Sequence, residues 1–230
     1  MLTPDLLMLT TEQWSCGHYP VTGNRSLKWI VHPYDGDGYL KRNNRPVQQP
    51  VQLIRGQDNS VVEALLVDLN QTHLDTFDTL WRPLLQRFET EDKFWDWVVK
   101  QRISLSFENV ESYAIEYDGV AQGLIALETQ WHRSWIDSQQ RLVYVEAIAS
   151  APWNRVRIQQ RPTLKGVGSV LLAFARRRSL QLGYGGRLGL HALPGAQGFY
   201  DAKNMMDFGP DLEKDGLVYF EYSQLREPDR

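Results

Sequence analysis

The sequence predicts an α+β fold of three layers, with helices flanking a sheet built largely from strands that follow one another along the chain. Three observations predict it. Two stretches with helical spacing come first, a two-residue turn then joins two alternating strands, and strand and helix alternate from there to the last strand. With 42% apolar and 11% aromatic residues, a chain of 230 residues can bury a full core as one domain, which argues against disorder.

The first stretch, to about Asn59, is rich in Pro, Gly, Asn and Gln and reads as an N-terminal arm (1–59) on a main domain (60–230), with one short strand-like piece at Leu27 to Val31. Val51 to Ile54 and Val61 to Leu69 are apolar and β-branched around Gly56-Gln57-Asp58-Asn59, which predicts a hairpin entering the main sheet. Asn70 is a fitting cap for a helix carrying Leu74, Phe77, Leu80, Trp81, Leu84, Leu85 and Phe88. A second helix is expected over Phe94, Trp95, Trp97, Val98 and Val99, with Glu89, Glu91 and Asp92 in its first turn. Ser112 to Tyr117 alternates, turns at Asp118-Gly119 and resumes as Val120 to Glu128, a strong hairpin signal. Leu142 to Ala149 reads as a third strand, and a helix begins near Gly166 and ends at Gly183, where a left-handed residue can stop it. Gly189 to Leu193 is a strand, Ala196 to Asn204 a short helix, and Leu217 to Tyr222 the closing strand.

Composition narrows the function. A net charge of −3 argues against a dedicated nucleic-acid binder. Cys16 is the only cysteine, which rules out an internal disulfide and a cysteine-rich zinc site and suits a reducing, cytoplasmic compartment. The N-terminus lacks a basic flank and no apolar run approaches 18 residues, so neither secretion nor a membrane span is expected. Asn24-Arg25-Ser26 and Asn70-Gln71-Thr72 fit the glycosylation sequon, which matters only on a secretory route. Asp35-Gly36-Asp37-Gly38 lacks the later acidic ligands of a calcium loop and reads as a turn, and the histidines show no ligand spacing, so no metal is expected.

The chemistry gathers around Lys165-Gly166-Val167-Gly168. A glycine loop that opens directly into a helix presents free N–H groups and the positive end of the helix dipole to an anion. Its spacing matches neither a P-loop nor a three-glycine dinucleotide fingerprint. Between Arg141 and Arg187 nine basic residues face the single acid Glu146, which points to a ligand with several phosphates, the alternative being a solvated basic face.

Three segments in order resemble the GNAT acyltransferase superfamily. Glu146 to Arg155 is similar to that family's fourth strand and its exit, Thr163-Leu164-Lys165-Gly166-Val167-Gly168 to its pyrophosphate loop, and Ala196 to Met205 to its late Phe-Tyr segment. The resemblance covers roughly Ser112 to Tyr222. It departs at Thr163, where Gln or Arg is usual, at Leu193 in place of an Asn, at Asn204 in place of a Gly, and in about ten extra residues from Val156 to Leu164. Asn204 is tolerable, because Asn accepts positive φ.

The resemblance implies a mixed, mostly antiparallel central sheet flanked by helices, and an N-acyltransferase that moves an acyl group, most simply from acetyl-CoA, directly to a primary amine. Under it Glu146 is the general base and Tyr200 the general acid toward the thiolate. The cofactor is held by Ile148 and Ser150 along the strand and by Thr163, Leu164, Lys165, Gly166, Val167, Gly168 and Ser169 in the loop. His191 is an alternative base, Trp81, Trp95 and Trp97 read as core, and a homodimer stays open. The competing reading is a GNAT-fold acyl-CoA-binding or regulatory module without turnover, and the acceptor amine is not legible.

Overall fold

The computed structural model describes residues 46–225. The expected strand at Leu27 to Val31, Cys16, the first sequon and the Asp35-Gly36-Asp37-Gly38 turn lie outside the described residues.

The nine strands found there form one sheet in the order β6-β1-β2-β3-β4-β5-β7-β9-β8. They are β1 (Gln48–Arg55), β2 (Val61–Asp68), β3 (Val110–Tyr117), β4 (Val120–Glu128), β5 (Val143–Ser150), β6 (Leu164–Lys165), β7 (Leu188–Ala192), β8 (Met206–Asp211) and β9 (Leu217–Tyr222). Every pairing is antiparallel except β5 with β7, so the architecture is the mixed, mostly antiparallel one that the resemblance implies. The β1–β2 hairpin is present, and β1 takes its place in the sheet although it falls within the stretch read as an arm. At the β3–β4 turn Asp118 and Gly119 have φ of 51° and 73°, the left-handed pair that a tight hairpin requires.

Helices cover both faces. β4 shows this by alternation: Ile125 and Leu127 pack with Val167, Leu171 and Ala175 of α4 (Val167–Gln181), while Leu124 and Ala126 pack with Leu74, Phe77, Trp81 and Leu85. The latter four line α1 (Gln71–Thr76), a π-helical turn (Phe77–Trp81) and α2 (Arg82–Arg87), which run on without a break. Asn70 caps α1 as expected, and it shares a capping box with His73. Leu80 and Phe88, assigned to the apolar stripe, are instead exposed, because the π turn adds a residue to the helical period there.

The second helix starts later than its pattern suggests. α3 spans Trp97–Ser106, with Asp96 as its cap, and Glu91 to Phe94 form a turn ahead of it. Local acidity favours a helix start, but Glu91 and Asp92 have tertiary partners that hold them in a loop. Gly183 (φ 79°) and Asn204 (φ 58°) take the left-handed conformations foreseen for them. β8 was not legible, since its Phe208-Gly209-Pro210 core carries two residues that depress strand propensity.

Candidate active-site cleft

The cleft exists because two neighbouring strands part. β5 and β7 pair only at Val143–Leu188, Tyr144–Gly189 and Val145–Leu190. Beyond Val145, the β7-facing edge of β5 is open. A bulge marks the same point on the other side: Ala126 pairs with Ala147 and Leu127 with Val145, so Glu146 is an extra residue with no partner on β4. The insertion reverses the facing of β5. Val143 and Val145 belong to the α4 side of the core, yet Ala147 and Ala149, an even number of residues on, belong to the α1–α3 side.

The opened strands are held apart by the loop before α3. Arg155, just after β5, donates to both carboxylate oxygens of Asp92 at 2.9 and 2.6 Å and to the Ser150 carbonyl at 2.8 Å. Gly195, just after β7, donates its backbone N–H to Glu91 Oε2 at 2.9 Å. One short loop thus ties down both strand exits. The cleft between them is lined by Glu146 and Ile148 of β5, His191 of β7, Tyr200 of α5 (Gln197–Asp201), Trp95 and Lys100 from the α3 side, and Lys214 ahead of β9.

Glu146 and Tyr200, expected in catalytic roles, therefore share one cavity with Ile148. Burial pushes the Glu146 carboxyl above the usual carboxylate range, while His132, Lys100 and Lys214 draw it back. Burial likewise raises the Tyr200 phenol, whose hydroxyl makes no hydrogen bond to another described residue. A protonated phenol with an uncommitted O–H can donate to a developing anion.

Of the residues expected to hold the cofactor, only Ile148 lines this cavity; Ser150 and the glycine loop lie beyond it, at the far end of β5. Gly166 caps α4 at φ 91°, ψ −4°, and the first bond of the helix runs from Val170 N–H to the Gly166 carbonyl at 2.9 Å. The amides of Val167, Gly168 and Ser169 stand ahead of that bond, in the first turn. A Cβ built on Gly168 would lie 3.3 Å from Phe199 Cζ and 3.6 Å from Ser150 Oγ, so the loop, the end of β5 and the Phe199-Tyr200 helix meet at one point. The earlier loop residues are already engaged. Thr163 donates its N–H to the Trp153 carbonyl and accepts from Gly56, Leu164 N–H donates to Asn154 Oδ1, and Lys165 Nζ donates to Asn59 Oδ1.

The basic stretch divides in the same way. Arg155 is paired with Asp92, Arg178 with Glu111, Arg176 lies 4.2 Å over the Tyr222 ring, and Arg187 donates to the Tyr184 carbonyl and to Gln224. These four brace the fold, so the local charge excess overstates what a polyanion would meet. Trp81 and Trp97 are core, as expected, whereas Trp95 lines the cleft.

Sequence reasoning missed three groups that line the cleft, Tyr144, Lys100 and Lys214. Tyr144 sits two residues before Glu146 and could have been found by that spacing alone. It shares a 2.7 Å hydrogen bond with His191 Nδ1, and His191 Nε2 lies 2.9 Å from Asp211 Oδ2. Burial lowers the His191 pKa to about 4, with Lys214 adding to the effect. Lys100 and Lys214 arrive from distant elements and carry no sequence signal. His73 and His132 are structural, bonded to Glu116 and Glu128 respectively. Among the described residues no cluster of three His, Cys, Asp or Glu side chains could hold a metal, and no helix is long and apolar enough to cross a membrane.

No protein-family model and no curated protein matches the sequence. Solved structures do resemble it in the course of the chain. The GNAT domain of S. lividans PAT is 14% identical over 76% of this chain and 96% of its own, with a TM-score of 0.49. The PaiA N-acetyltransferase of Thermoplasma acidophilum, in complex with coenzyme A, is 12% identical over 70% of this chain and 98% of its own, with a TM-score of 0.47. An aminoglycoside 6'-N-acetyltransferase complexed with coenzyme A is 11% identical over 71% and 99%, with a TM-score of 0.48. The fold described here rests on this chain's own strand order and register.

Proposed function

We propose that the chain is an acyl-CoA-dependent N-acyltransferase of the GNAT type, using acetyl-CoA to acylate a primary amine directly. The observation that carries this reading is the opening between β5 and β7, which brings Glu146, Ile148 and Tyr200 into one cavity, while the first turn of α4 meets the end of β5 and Phe199, the neighbour of Tyr200. A thioester supplies an activated acyl carbonyl and a good leaving group. The amides of Val167, Gly168 and Ser169, with the Gly166 turn, are suited to a pyrophosphate, and the open edge of β5 at Ile148, ahead of the Ser150 carbonyl that Arg155 occupies, is suited to an amide-bearing arm. Thr163, Leu164 and Lys165 shape the loop through their bonds to Trp153, Asn154 and Asn59.

An alkylammonium has a pKa near 10 and must lose a proton before it can attack. Glu146 is the base: its raised pKa brings it closer to neutrality, where a carboxylate is a better proton acceptor. Tyr200 gives its proton to the departing sulfur. The cytoplasm is the compartment that suits such a protein. Titration calorimetry with acetyl-CoA, followed by release of free thiol in the presence of primary amines, tests the reading. Absence of binding at millimolar ligand sinks it, and binding without amine-dependent thiol release favours the module without turnover.

A further inference from the structure

Tyr144, His191 and Asp211 form a chain of hydrogen bonds that the roles of Glu146 and Tyr200 leave unused. The end partner decides its direction. A carboxylate can only accept, so His191 Nε2 carries the hydrogen toward Asp211 Oδ2 at 2.9 Å. A neutral imidazole then has a bare Nδ1, which must accept, and the Tyr144 hydroxyl donates to it at 2.7 Å. The surroundings keep both groups neutral. Burial, reinforced by Lys214 and His132, disfavours an imidazolium and outweighs the opposite pull of Asp211, and burial together with the charge of Glu146 keeps Tyr144 a phenol. Asp211 is fixed in turn, since its Oδ1 accepts from the Glu213 amide at 2.9 Å. The His132 ring, stacked on Tyr144 at 3.9 Å, holds the phenol in plane.

The two tyrosines of the cleft are thus opposite in polarity. Tyr200 has a hydroxyl free to donate, whereas the Tyr144 O–H is committed to His191 and only its oxygen lone pairs are available. We infer that Tyr144 is a substrate-positioning residue whose hydroxyl oxygen accepts an N–H from the acceptor amine, and that His191 and Asp211 are positioning residues that fix this polarity. Tyr144 and Glu146 both line the cleft, on opposite sides of Val145, so one N–H can rest on the phenolic oxygen while another proton leaves to Glu146. The proton on Tyr144 itself does not move. This inference rests on the acyltransferase reading for the identity of its ligand, but the direction of the hydrogen bonds does not.

The test therefore has two arms. In the ligand-free protein, nitrogen-15 NMR of labelled histidine is expected to show His191 as the Nε2–H tautomer with unprotonated Nδ1. Asp211→Asn can donate to Nε2 and is expected to invert the tautomer while the protein stays folded by circular dichroism. A wild-type spectrum with Nδ1 protonated overturns the inference. In the second arm acetyl transfer to n-butylamine is measured. Tyr144→Phe is expected to raise the KM for the amine about tenfold, the worth of one hydrogen bond, with the KM for acetyl-CoA within twofold of wild type. Asp211→Asn is expected to do the same, although a merely structural role would move only the melting temperature. An unchanged amine KM in both variants overturns the inference. If the wild-type protein transfers to no amine, the acyltransferase reading fails and the tautomer arm alone decides the polarity.

Discussion

Arg155 grips Asp92 with two nitrogens, at 2.9 and 2.6 Å, and so fastens the loop before α3 to the strand that opens the cleft. The Asp92 side chain is only 8% exposed. Removing its partner leaves a charge with little access to water, a larger penalty than a surface pair would give. Arg155→Ala is expected to lower stability by about 3 kcal/mol in urea unfolding. Arg155→Ala combined with Asp92→Ala, which leaves no orphan charge, is expected to recover part of that loss. Full retention of stability in the single variant would show that the clip contributes nothing.

The glycine loop separates backbone strain from ligand contact. Gly166 has open space around a built Cβ but φ of +91°, so Gly166→Ala is expected to cost roughly 1–2 kcal/mol by thermal unfolding. Gly168 is not at positive φ, and its Cβ would meet the movable ring of Phe199 at 3.3 Å. Gly168→Ala is expected to change stability by less than about 1 kcal/mol, because the helix propensity gained by alanine offsets the crowding against Phe199, and to weaken CoA binding about tenfold by calorimetry. Equal CoA affinity in wild type and Gly168→Ala would place the phosphates elsewhere.

Glu146→Gln is expected to lower kcat at least about 100-fold, the contribution of a positioned base. Stability should move the other way. A carboxyl whose folded pKa is raised stabilises fully only below its unfolded pKa, and that contribution is lost as pH rises through the folded value. At neutral pH the amide is therefore neutral or stabilising. Since the base must be ionised, kcat/KM of the wild type is expected to fall as pH drops through the raised Glu146 pKa. A flat profile there would remove Glu146 from the role.

His191 makes the opposite contribution to acid stability. Its folded pKa is lowered from 6.5 to about 4, so its stabilisation is complete above 6.5 and is lost as pH falls toward 4. The full effect is about 3 kcal/mol, from roughly 1.4 kcal/mol per pH unit. His191→Gln is expected to flatten the decline in melting temperature across that window, although His73, also lowered by burial, leaves part of it in place.

Local rules read most of the elements correctly, and the failures share a cause. The Asp118-Gly119 turn, the Asn70 cap, Gly183 and Asn204 are decided by one or two residues and were legible. The start of α3 was not, because Glu91 and Asp92 bond to Gly195 and Arg155, about 104 and 63 residues away. The basic stretch looked like a ligand signal for the same reason: charge is visible along the chain, and the partners Glu111 and Asp92 are not.

By itself, the sequence determined the α+β class, the hairpins and the glycine turn into α4, all of which depend on neighbours along the chain. The tertiary structure decided what Glu146 is. Its place as an extra residue on β5 follows from register with β4, which reverses the facing of the strand, and its setting among Lys100, Lys214, Tyr144 and Tyr200 follows from the parting of β5 from β7. A carboxylate's environment is set by groups that folding brings from every part of the chain, and only the packed sheet brings them together.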